Sequence, residues 1–364
     1  MGLLPTPDRP AGEQGPDRSR VRLTGGDDAF GLDAQTVLGW IRSLGIEVTD
    51  PVRLDRIGAG QSNLTFRVTD AEGRRWALRR PPLGPLLASA HNVAREARIL
   101  SALHGTDLPT PAVHGVRYHR DVPHVLMEFV DGLVVDRMSI AEALSLRRRR
   151  AIGSSLARTL ARIHAVDLDK TGLGDIASHK PYAQRQLKRW SLQWERSKTR
   201  EMPHLDALTE RLQVSAPVQQ ELTLVHGDFH LRNVVTSGRY GDIVAVLDWE
   251  LCTLGDPMAD VGTMLAYWSE HGEPSLGGPS PSILPGFPTR EELVHAYLRH
   301  TGRDAATLGF WHALGLWKIA IIGVGVLRRA LEEPHNRSET GTPTQEEIES
   351  LIAKADEAAS AAGI

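Results

Sequence analysis

Residues 225–233 read Val225-His226-Gly227-Asp228-Phe229-His230-Leu231-Arg232-Asn233, and residues 243–248 read Ile243-Val244-Ala245-Val246-Leu247-Asp248. In the first stretch a short apolar run, Leu222–Val225, ends in a tight loop that carries Asp228. Asn233 follows five residues later, where a second extended run, Asn233–Thr236, begins. The other stretch is an apolar strand that delivers Asp248 at its end, twenty residues beyond Asp228. Taken singly, Asp228 and Asn233 read as turn residues and Asp248 as a helix cap. In register at three strand ends they form a set with a chemistry. One carboxylate can take the proton of an attacking hydroxyl, while an amide oxygen and a second carboxylate hold Mg²⁺ against phosphates. On that reading Asp228 is the catalytic base, and Asn233 and Asp248 are the metal ligands.

Upstream, the chain alternates like a sheet. Val52–Ile57 leads into Gly58-Ala59-Gly60-Gln61-Ser62-Asn63, then come Leu64–Thr69, a turn at Ala71-Glu72-Gly73, and Arg75–Arg79. A helix is expected over His91–His104, with Val93, Ala97, Leu100 and Leu103 on one face, followed by strands at Val113–Arg117 and His124–Phe129. A further helix precedes the sheet, capped by Asp33, with Val37, Leu38, Ile41 and Leu44 at helical spacing before Gly45. Beyond Asp131 helices dominate. Arg147–Val166 carries the stripe Ile152, Leu156, Leu160, Ile163, and Gln184–Trp194 is another helix. Thr289 with Glu292, and Thr344 with Glu347, open helices as capping boxes. Residues 271–289 form a Pro/Gly/Ser loop. The expected organisation is a disordered tail over 1–30, a nucleotide-binding lobe over 31–130, and a helical lobe over 131–364 that holds the catalytic loop and the substrate pocket. Ligands bind in clefts between such lobes.

Composition narrows the partners. A net charge of -3 among 364 residues gives no strongly basic face for nucleic acid. A single cysteine, Cys252, excludes a disulfide framework and a thiolate zinc site. The N-terminus has no apolar signal segment, so a cytoplasmic protein is expected. The apolar run Ile319–Leu327 is interrupted by Gly323 and Gly325 and is far short of the roughly 20 residues of a membrane span, so a buried helix is expected. Oligomeric state leaves no trace in the sequence. The run Arg147–Arg150 reads as a solvated helix face, with an anion site as the alternative.

The order Asp, four residues, Asn, short hairpin, Asp is the kinase order. More specifically, His226-Gly227-Asp228-Phe229-His230-Leu231-Arg232-Asn233 resembles the catalytic loop of aminoglycoside phosphotransferases and choline kinases. The segment Leu247–Asp260 resembles the one that follows it in that family. The resemblance runs from about residue 50 to 330 and implies an α+β, protein-kinase-like two-lobe fold. Such a fold has an N-terminal antiparallel sheet with one helix and a larger, mainly helical C-terminal lobe. It also implies that Asp260 holds the backbone of the catalytic loop. In the N-terminal lobe, Gly58, Gly60, Ser62 and Asn63 then stand where a loop covers the phosphates of ATP, although a plain hairpin turn is the other reading of the glycine pair. Trp76-Ala77-Leu78-Arg79 aligns with the kinase pattern V-A-I-K. Ala77 would roof the adenine, and Arg79 would reach the phosphates from the position where kinases carry Lys, with Glu96 as its ion-pair partner. Glu128 and Val130 mark the hinge whose backbone would bind adenine.

The stretches GAGQSNLTFRV, WALRRPP, LLASAHNVAREARIL and DWELCTLGDPMADVG resemble the phosphotransferase-like domain of acyl-CoA dehydrogenase family members 10 and 11 and stand-alone bacterial relatives. In that group Arg at the third-strand position is usual. The implied acceptor is the hydroxyl of a hydroxyacyl-CoA, with ATP and Mg²⁺ as cofactors. The helices after Pro181 and the loop 271–289 are expected to line the acceptor pocket, with Arg147–Arg150, Lys188 and Arg189 as candidate contacts for an anionic CoA. Three alternatives stay open: an aminoglycoside or small amino-alcohol kinase, an inactive nucleotide-binding regulator, and a metallohydrolase built on His226-x-Asp228-x-His230.

Overall fold

The computed structural model describes residues 33–58, 63–81, 89–119, 121–332 and 342–364. The expected tail over 1–30 and two of the glycine-loop positions, Gly60 and Ser62, lie outside the described residues.

The chain opens with α1 (Ala34–Ser43), where the Asp33 side chain accepts from the Thr36 N–H at 2.7 Å. Its stripe buries Val37, Leu38, Trp40 and Ile41, whereas Leu44 is the C-cap and lies exposed. The strands β1 (Arg53–Ile57), β2 (Leu64–Thr69) and β3 (Arg75–Arg80) follow, then α2 (Ser89–Leu103), β4 (Val113–His119) and β5 (Val122–Glu128). They form one antiparallel sheet in the order β1-β2-β3-β5-β4. Alternation assigns its two faces. Phe66, Val68, Trp76 and Leu78 pack against α1 in one core, while Ala77, Val125 and Met127 join α2 and the helical part in the other. The sheet is therefore covered on both faces, by α1 as well as by the expected helix α2.

The helical part contains α3 (Met138–Glu142), α4 (Leu146–His164), α5 (Leu168–Thr171), α6 (Tyr182–Ser197) and α7 (Pro203–Val214). Four short strands come next: β6 (Thr223–Val225), β7 (Val234–Thr236), β8 (Ile243–Val246) and β9 (Thr253–Gly255). The remainder is α8 (Pro257–Tyr267), α9 (Arg290–Thr301), α10 (Leu308–Glu332) and α11 (Gln345–Ala361), and the two capping boxes form as expected at Thr289 and Thr344. The stripe Ile152, Leu156, Leu160 and Ile163 on α4 is fully buried. At about 1.5–3 kcal/mol for each such side chain, that burial anchors the lobe. Helix α10 is long and apolar enough to cross a membrane by length and composition, but most of its apolar stretch is buried against α8 and α11 inside the lobe.

The arginine run at the start of α4 departs from a solvated face at Arg148, whose Nε and one Nη are buried, and most clearly at Arg149. Arg149 is buried, and its guanidinium donates to the carbonyls of Ala141 (3.0 Å), Glu142 (3.2 Å) and Pro285 (2.8 Å). It is neither part of a solvated face nor available to an anion. The periodicity of α4 turns Arg149 inward, and a guanidinium buried there needs several acceptors.

Candidate active site

Between β6 and the β7–β8 hairpin lies the loop that carries Asp228. Gly227 has φ +83°, and a Cβ on it would sit 2.7 Å from the Leu251 carbonyl oxygen, so only glycine fits. Asp260, fully buried in the first turn of α8, accepts from the N–H groups of His226 (2.6 Å) and Gly227 (2.8 Å). Its second role is to meet His164 Nε2 at 3.3 Å. Asp260 thus grips the backbone just ahead of Asp228, as the resemblance implied.

The two histidines of the loop do not converge. His226 is completely buried. Its Nδ1 accepts from the Asp228 N–H (3.3 Å), and its Nε2 donates to the Leu247 carbonyl (2.9 Å). Burial lowers its pKa, in keeping with a neutral ring. Both nitrogens are committed to backbone, so the His226-x-Asp228-x-His230 zinc site of the metallohydrolase alternative has no first imidazole ligand. His230 lies against Tyr267, with ring centroids 4.1 Å apart, and its Nε2 is 3.4 Å from Asp228 Oδ2.

Asp228 Oδ2 accepts from Asn233 Nδ2 at 3.1 Å, while Asp228 Oδ1 is buried without a hydrogen-bond partner. A buried carboxylate oxygen without a well-formed hydrogen bond can accept from a hydroxyl, and the Tyr267 hydroxyl is the protein group nearest to that role. Burial opposes ionisation of this carboxyl, but His230 and the ammonium of Lys318 outweigh it and hold the group well below the usual carboxylate range. It is a carboxylate, not an acid, near neutral pH.

Asn233 also gives its Nδ2 to the Asp228 carbonyl (2.8 Å), which leaves its amide oxygen as the free end. The Leu247 N–H donates to the Asn233 carbonyl (2.8 Å), so the β7–β8 hairpin sets Asn233 beside the strand that ends in Asp248. Asp248 has φ +62°, a left-handed conformation uncommon outside glycine but most tolerable for Asp and Asn. One of its oxygens is engaged by Arg79, and the side chain is 31% exposed. A free amide oxygen and a free carboxylate oxygen at neighbouring strand ends fit a hard cation such as Mg²⁺.

From the sheet, Ala77 and Arg79 face inward together. The Arg79 Nε lies 2.9 Å from Glu96 Oε2 on α2, its Nη2 donates to Asp248 Oδ1 (2.5 Å), and Glu250 is 3.8 Å away. Three more links reach the same short segment. Glu96 Oε1 accepts from the Trp249 N–H (3.3 Å), Asn63 donates to Glu250 (2.8 Å), and Arg95 donates to the Cys252 carbonyl (2.6 Å). Asn63 is thereby turned toward Glu250. Gly58, at the other end of the glycine stretch, has φ +76°. At the hinge, the Glu128 N–H is taken by the Ala112 carbonyl (2.8 Å), and its carboxylate accepts from the Ala112 N–H (3.2 Å). Val130 lies two residues further on, past the end of β5.

A cavity of about 190 Å³ has His230 and Tyr267, both neighbours of Asp228, in its wall, although Asp228 itself does not line it. Burial, the nearby Asp228 charge and a hydrogen-bonding approach of the Tyr267 hydroxyl to Asp228 raise the Tyr267 pKa. The loop 271–289 lines the cavity through Pro274–Pro281, as expected. Of the helices after Pro181, α8, α10 and α11 line it, whereas α6 borders a separate cavity of about 20 Å³ through Tyr182, Gln186 and Trp190. From α10 the lining takes Ile319, Ile322, Gly323 and Val326. Among the described lining residues there is no carboxylate, and the one charged side chain is Arg232. Arg147–Arg150, Lys188 and Arg189, the expected contacts for an anionic acceptor, are not part of this wall, and Arg189 lies over the Trp190 ring instead. Tyr267, Arg232 and Lys318 escaped sequence reasoning, because each is a lone polar residue in an otherwise unremarkable context.

Residues 53–310 match the sequence profile of the phosphotransferase enzyme family. Acyl-CoA dehydrogenase family member 10 of Mus musculus is 36% identical over 295 residues, a match that covers 79% of this chain and 27% of that protein. The chain therefore spans about a quarter of the length of that relative. A crystal structure provisionally assigned to an aminoglycoside phosphotransferase of Ralstonia eutropha superposes with a TM-score of 0.71 at 28% identity, over 91% of this chain and 98% of that one. The enzyme APH(2'')-IIa, solved as a ternary complex with streptomycin and ATP, gives a TM-score of 0.55 at 15% identity, over 90% of this chain and 96% of that one, a likeness of fold.

Proposed function

This chain belongs to the phosphotransferase enzyme family, and from that membership we propose that it transfers the γ-phosphoryl group of ATP to the hydroxyl of an acyl-bearing small molecule, a hydroxyacyl-CoA. The observation that carries the transfer is the grouping of Asp228, Asn233 and Asp248 at adjoining strand ends, with one Asp228 oxygen lacking a hydrogen-bond partner. The nearby cavity, walled by His230 and Tyr267, is the place proposed for the acceptor. ATP as donor is supported by the ATP complex of a fold neighbour.

The acceptor's oxygen forms a bond to the γ-phosphorus while the bond from that phosphorus to the β–γ bridging oxygen breaks. ADP leaves with the electron pair, and the hydroxyl proton passes to Asp228. Asn233 and Asp248 would hold Mg²⁺, which neutralises charge on the phosphates when bound. Gly58, Gly60, Ser62 and Asn63 would cover the phosphates, Ala77 and the hinge at Glu128 and Val130 would hold adenine, and Arg79, fixed by Glu96, would set the β3 end of the site.

The character of the cavity supports this choice of acceptor. A polycationic aminoglycoside needs carboxylates around it, and the described wall has none. Its aliphatic wall suits an acyl chain, and Arg232 suits a carbonyl or an anionic group. The name of the Mus musculus relative points toward acyl-CoA chemistry as well. A screen that reads ATP consumption across hydroxyacyl-CoAs, aminoglycosides and small amino alcohols tests the reading. Turnover with hydroxyacyl-CoAs alone is the expected result; turnover with aminoglycosides at comparable kcat/KM would overturn the acceptor assignment.

A further inference from the structure

Lys318 stands in the middle of α10, between Trp317 and Ile319, on a helix otherwise sunk in the core. It is itself buried, and its ammonium donates to the Gly227 carbonyl at 2.6 Å. The same ammonium lies 5.4 Å from the centre of the Trp190 ring. Burial lowers its pKa, and the charges of Asp228 and Asp260 oppose that fall. A helix that needed only to fill space here would do as well with methionine or leucine, because an apolar residue of similar volume avoids the desolvation of an ammonium. The charge therefore has another use.

The contacts around the peptide ahead of Asp228 indicate which. Asp260 grips the loop by two N–H groups, those of His226 and Gly227. Lys318 grips it by the carbonyl of Gly227, the group whose peptide unit continues into Asp228. One buried anion and one buried cation thus hold the same turn by donors and acceptor alike, and the Gly227 φ of +83° makes that turn one the backbone does not adopt by default. Resting on the phosphotransferase reading, we infer that Lys318 is a positioning residue of the transfer site: from α10 it fixes the Gly227–Asp228 peptide and so aims the Asp228 carboxylate at the acceptor. It touches neither nucleotide nor acceptor in this role.

The test compares Lys318→Met and Lys318→Gln with the parent protein, using Mg·ATP with the acceptor found in the screen, or ATP hydrolysis to water as the probe reaction. Positioning of the base affects the chemical step, so kcat should fall about 10- to 100-fold. KM for ATP and nucleotide affinity should stay within about threefold, because the groups proposed to bind ATP are untouched. A merely structural lysine would lower kcat and nucleotide binding together, in step with thermal stability. A folded variant with kcat within twofold of the parent overturns the inference, as does failure of both variants to fold. Should the parent show no turnover of any kind, the phosphotransferase reading itself fails. Lys318 is then judged by a crystal structure of Lys318→Met, in which an unmoved Gly227 carbonyl overturns the inference and a displaced one supports it.

Discussion

The guanidinium of Arg79 reaches Asp248 at 2.5 Å, tying β3 of the sheet to the strand end that carries a proposed metal ligand. Glu96 buttresses the same guanidinium from α2 at 2.9 Å, with both side chains largely buried. Breaking such a pair from one side is costly, on the order of 3–5 kcal/mol, because a buried charge is left alone. Arg79→Ala should therefore lower both the melting temperature and kcat/KM for ATP, the latter by at least about tenfold. Arg80 is buried on the opposite face and donates to its neighbour Pro81. Arg80→Ala should lower stability while leaving KM for ATP near the parent value. Steady-state kinetics on both variants decide the strand register; equal effects on KM would show that it is wrong.

For Asp228, substitution by Asn keeps size and removes the base. Turnover should drop by about 10²–10⁴-fold, while nucleotide affinity measured by calorimetry stays close to that of the parent. The depressed pKa adds a second expectation. The carboxylate is already ionised well below neutrality, so the pH profile of kcat/KM should show no loss assignable to Asp228 between about pH 5 and 8. An acidic limb inside that range that vanishes in the Asn variant would contradict the charge assignment.

The proposed metal ligands give a concentration-dependent signature. Asn233→Ala removes an oxygen ligand, and the Mg²⁺ concentration for half-maximal turnover should rise at least about tenfold. Asp248→Asn should do the same and also loosen Arg79. A titration curve that does not move in either variant would place the cation elsewhere.

Glu273 ties the loop over the cavity to two helices, meeting Arg290 of α9 at 2.6 Å and Lys354 of α11 at 2.7 Å. Burial pushes its pKa up, but the hydrogen bonds from Arg290 and the other donors bring it down to about 2. A depressed native pKa means that the ionised group stabilises the fold above its unfolded value of 4.5, and that this support is lost as pH falls toward about 2. Glu273→Gln should therefore be less stable than the parent at neutral pH, by roughly 2 kcal/mol. The gap should close across that acid window. Urea melts at several pH values measure it, and a gap independent of pH would refute the assignment.

Much of this architecture is legible in the sequence wherever a local rule acts alone. Asp33, Thr289 and Thr344 announce helix starts because a cap answers to its next few residues. The register that puts Ala77 and Arg79 on one face follows from strand alternation, and Asp228, Asn233 and Asp248 stand out because three strand ends coincide. Elsewhere tertiary packing decides. Helix α8 is buried on nearly every side, so it has no polar stripe to mark its period. The three-residue strand β9 exists because β6, about thirty residues earlier, pairs with it. Arg149 sits among three other arginines, and only the fold turns it inward. Lys318 hides in an apolar run that reads simply as core.

Residues 248 to 252 each have a separate address. Asp248 meets Arg79, Trp249 meets Glu96, Glu250 meets Asn63, and Cys252 meets Arg95. The Leu251 carbonyl, for its part, abuts Gly227. Only Asp248 and Glu250 meet these partners through their side chains, so a substitution breaks at most one address and leaves the backbone contacts of Trp249, Leu251 and Cys252 in place. An insertion or deletion of a single residue there would displace several at once, since every later partner would face the wrong neighbour. The spacing of this stretch is therefore as constrained as its composition.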